Sequence, residues 1–265
     1  MNILFISQEI TPYLPETEMS NICRNLPQEI QEQGKEIRTF MPKFGCINER
    51  RNQLHEVIRL SGMNLIINDT DHPLIIKVAS IQSARMQVYF IDNEEFFNRK
   101  CMVCDENGEF FLDNDERIIF FGRGVLETVR KLRWQPNILH CHGWFTALAP
   151  LYMKKAFRED PLYSKTKIVY SIYNDTFSAT FNPELKVKAY TDGVAKRDLA
   201  VLEKPNHYTL SKLAINFSDA FIIVGDKISP QLEEYIKASN KPILYHKNET
   251  YIQDYTEFYD ELLRE

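Results

Sequence analysis

The sequence predicts an α/β protein: a single Rossmann-like, doubly wound domain built on a mainly parallel sheet. Short apolar runs typical of buried parallel strands recur along the chain, and segments with helical periodicity lie between them. No repeat, low-complexity tract or long linker divides the 265 residues. We therefore expect one domain over residues 1–249, with a closing helix over residues 250–265 that packs back on it.

The first forty residues predict a strand, a helix and a second strand. Residues 2–7 are apolar, and residues 36–41 have strand character. Between them lies an apolar stripe at helical spacing, formed by Met19, Ile22, Cys23, Leu26 and Ile30. Gly34 can end this helix as a C-terminal cap. Together these segments predict a βαβ unit.

The later segments continue the alternation of strands and helices. Asp113 and Glu116 have the spacing of a capping box, which predicts a helix that ends before Pro136. A second helix is expected over residues 143–157. Strands are expected over residues 65–68, 74–78, 87–91, 137–141, 167–172 and 221–224, with room for an antiparallel pair among the first three and with the last convincing strand at 221–224. The closing helix presents an apolar and aromatic face formed by Tyr251, Tyr255, Phe258, Tyr259 and Leu262.

The composition argues against several classes of protein. With 32 Lys and Arg against 37 Asp and Glu, the net charge is −5 and no dense basic stripe occurs, so nucleic-acid binding is not expected. The nine glycines do not form a dinucleotide fingerprint or a Walker loop. No apolar run reaches the length of a membrane span, and no signal peptide precedes the first strand. We expect a cytoplasmic protein without a membrane partner.

The cysteines predict free thiols. Five cysteines are an odd number, which fits a reducing compartment. Cys101 and Cys104 have the CxxC spacing of a zinc or redox pair, but no second pair of ligands follows. Metal or redox chemistry is therefore the less favoured alternative, and we expect no metal and no cofactor.

Two histidines follow a predicted strand at the sheet edge where α/β proteins bind ligands. We expect His140 and His142 to lie on opposite faces of the strand, with one of them in the core. His142 is then a candidate proton shuttle, since an imidazole titrates near neutral pH.

Six sequence blocks resemble one enzyme family. Residues 138–152 read I-L-H-C-H-G-W-F-T-A-L-A-P-L-Y, close to the pattern V-I-H-x-H-D-W-H-T-A-L-A-P-x-Y. Further blocks follow in the family's order at residues 7–12, 25–27, 41–45, 105–117 and 210–230. The pattern is that of the N-terminal catalytic domain of bacterial glycogen synthases and plant starch synthases, which the chain resembles from residue 1 to about residue 238.

The resemblance implies a fold and a reaction. These enzymes have the GT-B architecture, in which two Rossmann-like domains face a cleft, and they transfer glucose from ADP-glucose to an α-1,4-glucan. The N-terminal domain holds mostly the acceptor, and the C-terminal domain holds mostly the donor. The present chain ends without room for a second such domain, and its last residues resemble the family's final helix. A groove that needs cover explains the retained helix, so deleting residues 250–265 should destabilise the protein.

Several family positions carry other residues. Residues 15–19 read P-E-T-E-M where the family has K-T-G-G-L, so Pro15 replaces the phosphate-binding lysine and two acids occupy the anion site. Gly143 and Phe145 replace an aspartate and a histidine, and Tyr173 replaces a histidine of the T-V-H-N motif. These changes predict impaired donor binding and catalysis, and the catalytic residues are unknown.

Four residues remain candidates for binding a sugar. His142 and Asn174 can hydrogen-bond hydroxyl groups, while Trp144 and Tyr173 can stack on a pyranose ring; core packing is the alternative for Trp144. Three functions stay open: a glucan-binding module without chemistry, a non-catalytic partner or regulator of polysaccharide metabolism, and an active glycosyltransferase of altered specificity or completed by another subunit. The expected partners are an α-glucan or nucleotide sugar, or a protein of polysaccharide metabolism.

Overall fold

The computed structural model describes residues 1–225 and 228–264. The sheet runs in the order β10-β9-β8-β7-β1-β2-β6-β5-β3, and β4 pairs with β5. The strands from β10 to β6 are parallel to one another, while β5 is antiparallel to β6 and β3 and β4 are antiparallel to β5. The predicted α/β class and the mainly parallel sheet are confirmed. The strands are β1 (Asn2–Ser7), β2 (Glu36–Pro42), β3 (His55–Glu56), β4 (Met63–Ile67), β5 (Thr70–Ile81), β6 (Met86–Asp92), β7 (Ile138–His142), β8 (Lys167–Ile172), β9 (Ala220–Ile223) and β10 (Ile243–Tyr245).

Helices connect the parallel strands. They are α1 (Glu18–Glu32), α2 (Glu94–Phe97), α3 (Asn114–Leu132), α4 (Ala149–Lys155), α5 (Leu185–Lys188), α6 (His207–Phe217), α7 (Pro230–Ala238) and α8 (Tyr251–Leu262), with 3-10 turns at Gln82–Ala84, Trp144–Thr146 and Lys196–Glu203. The central strands are buried, as expected for a sheet covered on both faces. None of the helices in the described ranges is long and apolar enough to cross a membrane.

The first helix forms as the sequence predicts, with one addition. The whole apolar stripe of α1 is buried, and Gly34 follows the helix with φ +83°. A capping box that the sequence reading missed begins the helix: the Thr17 hydroxyl accepts from the Ser20 amide at 3.0 Å, and the Ser20 hydroxyl accepts from the Thr17 amide at 2.8 Å.

The capping box predicted at Asp113 does not form. The Asp113 side chain makes no cap hydrogen bond, because its carboxylate pairs with the guanidinium of Arg99 instead. Helix α3 still begins at Asn114, so the predicted boundary was correct while its predicted cause was wrong.

Two other predicted elements differ from the structure. The single helix expected over residues 143–157 is a 3-10 turn followed by the short helix α4, which begins next to Pro150, a residue without an amide donor. The strand at 221–224 is not the last, since β10 pairs with β9 at the sheet edge. Strand β10 is only three residues long, with two partly buried residues followed by the exposed Tyr245, and so short a run shows no apolar periodicity.

Helix α8 packs on the helix layer and the sheet. The side chains of Tyr255 and Tyr259 are fully buried, and the Tyr259 hydroxyl lies 2.6 Å from Nδ1 of His140 on β7. On the outer face, Asp260 lies 3.7 Å from the ammonium of Lys35. The helix therefore covers a polar group of the sheet as well as an apolar surface. The division of the chain at residue 249 stays a prediction.

Candidate functional site

The carboxyl ends of three neighbouring strands place the candidate residues side by side. Ser7 of β1 is in register with His142 of β7, and His142 is in register with Ser171 of β8. A cavity of about 340 Å³ lies beyond these strand ends. It is lined by Glu9, Thr17, Glu18, Met19, Tyr173, Asn174 and Asp175. We call this cavity the strand-end cleft.

The prediction that His140 and His142 lie on opposite faces of the strand was wrong. Their ring centroids are 3.8 Å apart, because residues two positions apart on a strand project from the same face. Both imidazoles are fully buried. His140 hydrogen-bonds the hydroxyl of Tyr259 at Nδ1 and that of Ser171 at Nε2, 2.7 Å away. Its role in this structure is to join α8 to the sheet.

His142 lies directly beneath the cleft wall. Its Nδ1 is 2.7 Å from the hydroxyl of Tyr173, and its Nε2 has no partner among the described residues. Burial lowers the pKa of His142 to about 3 and raises the pKa of the Tyr173 phenol well above its usual range. Both groups are therefore neutral at pH 7. The proton shuttle considered for His142 is not favoured by this environment.

Trp144 lies in the core. Its side chain is only 3% exposed and packs in a cluster of aromatic rings. The rings within 6 Å of it belong to Phe110, Phe145, Phe177 and Phe181. Of the four predicted binding residues, His142, Trp144 and Tyr173 are buried and Asn174 is exposed, so Tyr173 and Asn174 are the two that line the cleft. Sugar binding by these residues stays a prediction.

Packing explains the glycine at position 143. Gly143 has φ +83°, and a Cβ atom there would lie 2.9 Å from the side chains of both Gln8 and Met19. The Gln8 side-chain oxygen also accepts the amide of Phe145 at 3.1 Å. An aspartate at position 143 would have to displace the Gln8 side chain from this hydrogen bond, so glycine fits the packing of the site here.

The cleft is acidic. Glu9 accepts the Thr17 hydroxyl at 2.8 Å, and burial raises the pKa of its carboxyl group. Asp175 lies 3.2 Å from Nε2 of His207, and Glu18 lines the same cavity. The helix end nearest to these acids is the start of α1, where Thr17 and Ser20 already bond each other in the capping box. The side chains that line the cleft in the described residues thus include three carboxylates and no cation.

The sequence reading did not select Glu9, Thr17 or Asp175. Glu9 follows the end of β1, and Asp175 follows the end of β8. His142 was selected because ligands of α/β proteins bind where parallel strands end, and the same reasoning would have selected these two acids. Thr17 had the signal of a helix N-cap.

Metal ligation finds no support in the described part of the chain. No group of three or more His, Cys, Asp or Glu side chains there has the arrangement to hold a metal ion. The thiols of Cys101 and Cys104 are both free.

Comparisons with known proteins agree with this architecture. A family model described as the starch synthase catalytic domain matches residues 2–253. The chain is 37% identical to the glycogen synthase of Chlorobium limicola over 173 residues, which are 65% of this chain and 35% of that protein. It is 34% identical to the glycogen synthase of Chlorobaculum parvum over 184 residues, which are 69% of this chain and 38% of that protein.

A solved structure shows the same fold. The catalytic domain of starch synthase IV from Arabidopsis thaliana, bound to ADP and acarbose, superposes with a TM-score of 0.73 and 16% identity. The match covers 94% of this chain and 52% of that one. The matched region spans only about a third of the length of the curated relatives. The chain belongs to the starch synthase catalytic domain family, and it corresponds to the N-terminal glycosyltransferase domain of the glycogen and starch synthases.

Proposed function

We propose that this domain binds α-glucan in the strand-end cleft and is catalytically impaired, a cytoplasmic pseudoenzyme of the glycogen and starch synthase family. The observation that carries the proposal is the charge of the cleft. Glu9, Glu18 and Asp175 line it together with the exposed amide of Asn174.

A neutral polyhydroxyl ligand suits such a surface. Sugar hydroxyls donate hydrogen bonds to carboxylates, which accept on both oxygens, and the amide of Asn174 both donates and accepts. Hydrogen bonds to charged acceptors are the stronger ones, so the three acids favour a glucan. Asn174 is exposed, which leaves its amide available.

The same charges oppose a nucleotide diphosphate. Two unit charges 4 Å apart interact by roughly 4 kcal/mol near a protein surface, and each carboxylate would repel the diphosphate. Pro15 offers no cation at the family's lysine position, and its carbonyl accepts the Ser20 hydroxyl at 3.0 Å. Support for catalytic impairment also comes from Tyr173, since a phenol with a raised pKa replaces a group that titrates near neutrality.

Affinity electrophoresis tests the proposal. Native gels with and without glycogen are run for the wild type, Asn174→Ala and the control Asn64→Ala, which removes an exposed amide on β4 away from the cleft. We expect glycogen to retard the wild type and the control, and to retard Asn174→Ala less. A parallel assay with ADP-glucose and glycogen should show no glucose transfer.

Each result has a definite meaning. Unchanged mobility of the wild type in glycogen would contradict glucan binding and would direct the search to a protein partner. Glucose transfer from ADP-glucose would contradict the impairment and would establish an active transferase.

A further inference from the structure

A second cavity, of about 440 Å³, lies near the amino ends of the parallel strands, opposite the strand-end cleft. Glu36 and Arg38 at the start of β2 line it, as does Gln87 at the start of β6. The strand-end cleft lies at the carboxyl ends of the neighbouring parallel strands. The two cavities are therefore separated by the length of the strands, and a ligand in one does not touch the other. We call the second cavity the basic pocket.

Three cations line the basic pocket against one carboxylate. The cations are Lys35, Arg38 and Arg85, and the carboxylate is Glu36. The Glu36 carboxylate already accepts the indole N–H of Trp134 at 3.1 Å. A cluster of this sign stands out in a protein whose net charge is −5.

Neither Arg38 nor Arg85 forms an ion pair with an acid in the described ranges, residues 1–225 and 228–264. The nearest approach of an acid to Lys35 is the 3.7 Å contact with Asp260, which is longer than a normal hydrogen bond. Gathering three cations in one cavity costs Coulomb energy, and a bound anion offsets that cost.

The pocket is held in place before any ligand binds. The Arg38 guanidinium stacks over the Trp134 ring at 5.2 Å and donates from Nη1 to the Ile37 carbonyl at 3.0 Å. The carbonyl of Arg85 accepts the side-chain amide of Gln31 at 3.2 Å, which ties the turn before β6 to helix α1. The Arg38 guanidinium, fixed in this way, loses little entropy when it forms paired hydrogen bonds to an oxyanion.

We propose that the basic pocket is a binding site for a phosphate group, either free phosphate or a phosphomonoester on a small polyhydroxyl molecule. Guanidinium groups pair with phosphate through two parallel hydrogen bonds, and Lys35 adds a third donor. The side chains of Gln31, Gln87 and Tyr89 line the rest of the cavity and can hydrogen-bond hydroxyl groups beside the phosphate. This site is distinct from the glucan site proposed above and does not depend on it.

Calorimetric titration at constant ionic strength tests the site. The probes are inorganic phosphate, glucose 6-phosphate and, as the uncharged control, glucose. We expect both phosphates to bind and glucose not to bind at this pocket. Tighter binding of glucose 6-phosphate than of phosphate supports the phosphomonoester, and equal binding supports free phosphate.

Variants locate the binding. Arg85→Gln removes an exposed charge, and one charged hydrogen bond contributes about tenfold or more in affinity, so phosphate should bind at least tenfold more weakly. Lys35→Gln should weaken it as well. The matched control is Arg158→Gln, an arginine whose side chain is 76% exposed, and it should leave the affinity unchanged. Absence of phosphate binding to the wild type, or equal affinity of all three variants, would overturn the proposal.

The pocket also bears on the donor assay. A nucleotide diphosphate carries phosphate groups, so ADP can bind here without any role in glucose transfer. Binding of ADP that disappears in Arg85→Gln belongs to the basic pocket, and binding that persists in this variant belongs elsewhere.

Discussion

At the scale of single residues, the site is organised by a buried polar pair. The Tyr173 hydroxyl meets His142 at 2.7 Å, and His140 beside it meets two further hydroxyls. Burial keeps the imidazoles neutral by lowering the pKa of His140 well below its usual range and that of His142 to about 3. These histidines thus support the cleft wall from below.

The pKa values of these histidines predict how stability depends on pH. In the unfolded chain both titrate near pH 6.5, whereas in the folded protein both stay neutral, so the unfolded state binds more protons below pH 6.5. The stabilisation that depends on the two neutral histidines should be fully present above pH 6.5. Below that pH, the free energy of unfolding should fall by up to about 1.4 kcal/mol per pH unit for each histidine. Urea unfolding at pH 7.5, 6.5 and 5.5 measures this slope.

Two variants identify the source of the slope. His142→Gln should reduce the slope between pH 6.5 and 5.5, while His55→Gln, at an exposed position, should not change it. The raised carboxyl pKa values of Glu9 and Glu127 act in the opposite direction as the pH falls, but both variants keep these groups, so the difference in slope between variants reports the histidine alone. An equal slope in wild type and His142→Gln would refute the assignment.

At the scale of elements, helix α8 is part of the core of the domain. Its buried side chains are Tyr255, Phe258, Tyr259 and Leu262. The hydroxyl of Tyr255 also lies 2.8 Å from Nδ1 of His246, just beyond the edge strand β10. The helix therefore connects the sheet edge at β10 with the central strand β7.

Removing this helix should destabilise the protein. Deletion of residues 250–265 exposes the apolar surface beneath the helix and leaves His140 without one hydroxyl partner. Burial of each large side chain contributes about 1.5–3 kcal/mol, so we expect a loss of at least about 5 kcal/mol. For a protein of this size that corresponds to a fall in Tm of about 10 °C or more, measured by differential scanning calorimetry.

Point variants on α8 separate packing from chain length. Tyr259→Phe keeps the ring and removes the hydroxyl from His140, and it should lower Tm by a smaller amount. Gln253→Ala, at an exposed position of the same helix, should leave Tm unchanged. A deletion variant with the Tm of the wild type would contradict a structural role for the helix.

At the scale of the whole molecule, one hydrophobic core extends across the sheet. It joins residues from β1 to α8, including Trp134 near the amino ends of the strands and Trp144 near their carboxyl ends. A shared core makes cooperative unfolding the expected behaviour.

The two tryptophans allow a test of this cooperativity. Urea unfolding followed by far-ultraviolet circular dichroism and by tryptophan fluorescence should give the same midpoint. Trp134→Phe leaves Trp144 as the only tryptophan, and its fluorescence midpoint should again match the circular dichroism of the same variant. Separate midpoints in either protein would show that parts of the chain unfold independently.

Local sequence patterns were sufficient for much of the fold. The apolar run of β1, the stripe of α1 and the cap at Gly34 depend on neighbours within a few residues, and all three were predicted correctly. Motif order identified the family, and the resemblance predicted changed site positions at Pro15 and Tyr173. The edge strand β10 escaped prediction because pairing with β9, rather than any local pattern, makes it a strand.

The sequence by itself determined the α/β class and the family, because the apolar runs and motifs that indicate them are each formed by residues close together along the chain. The loss of family side chains at the site stays a prediction. Only the tertiary structure decided what surrounds those residues. Tyr259 meets His140 across 119 positions, the ring of Trp144 is closed in by aromatic residues from two other segments, and the basic pocket joins helix α1 to two distant strands. Burial, pKa and net local charge depend on such long-range neighbours, which the folding of the sheet brings together.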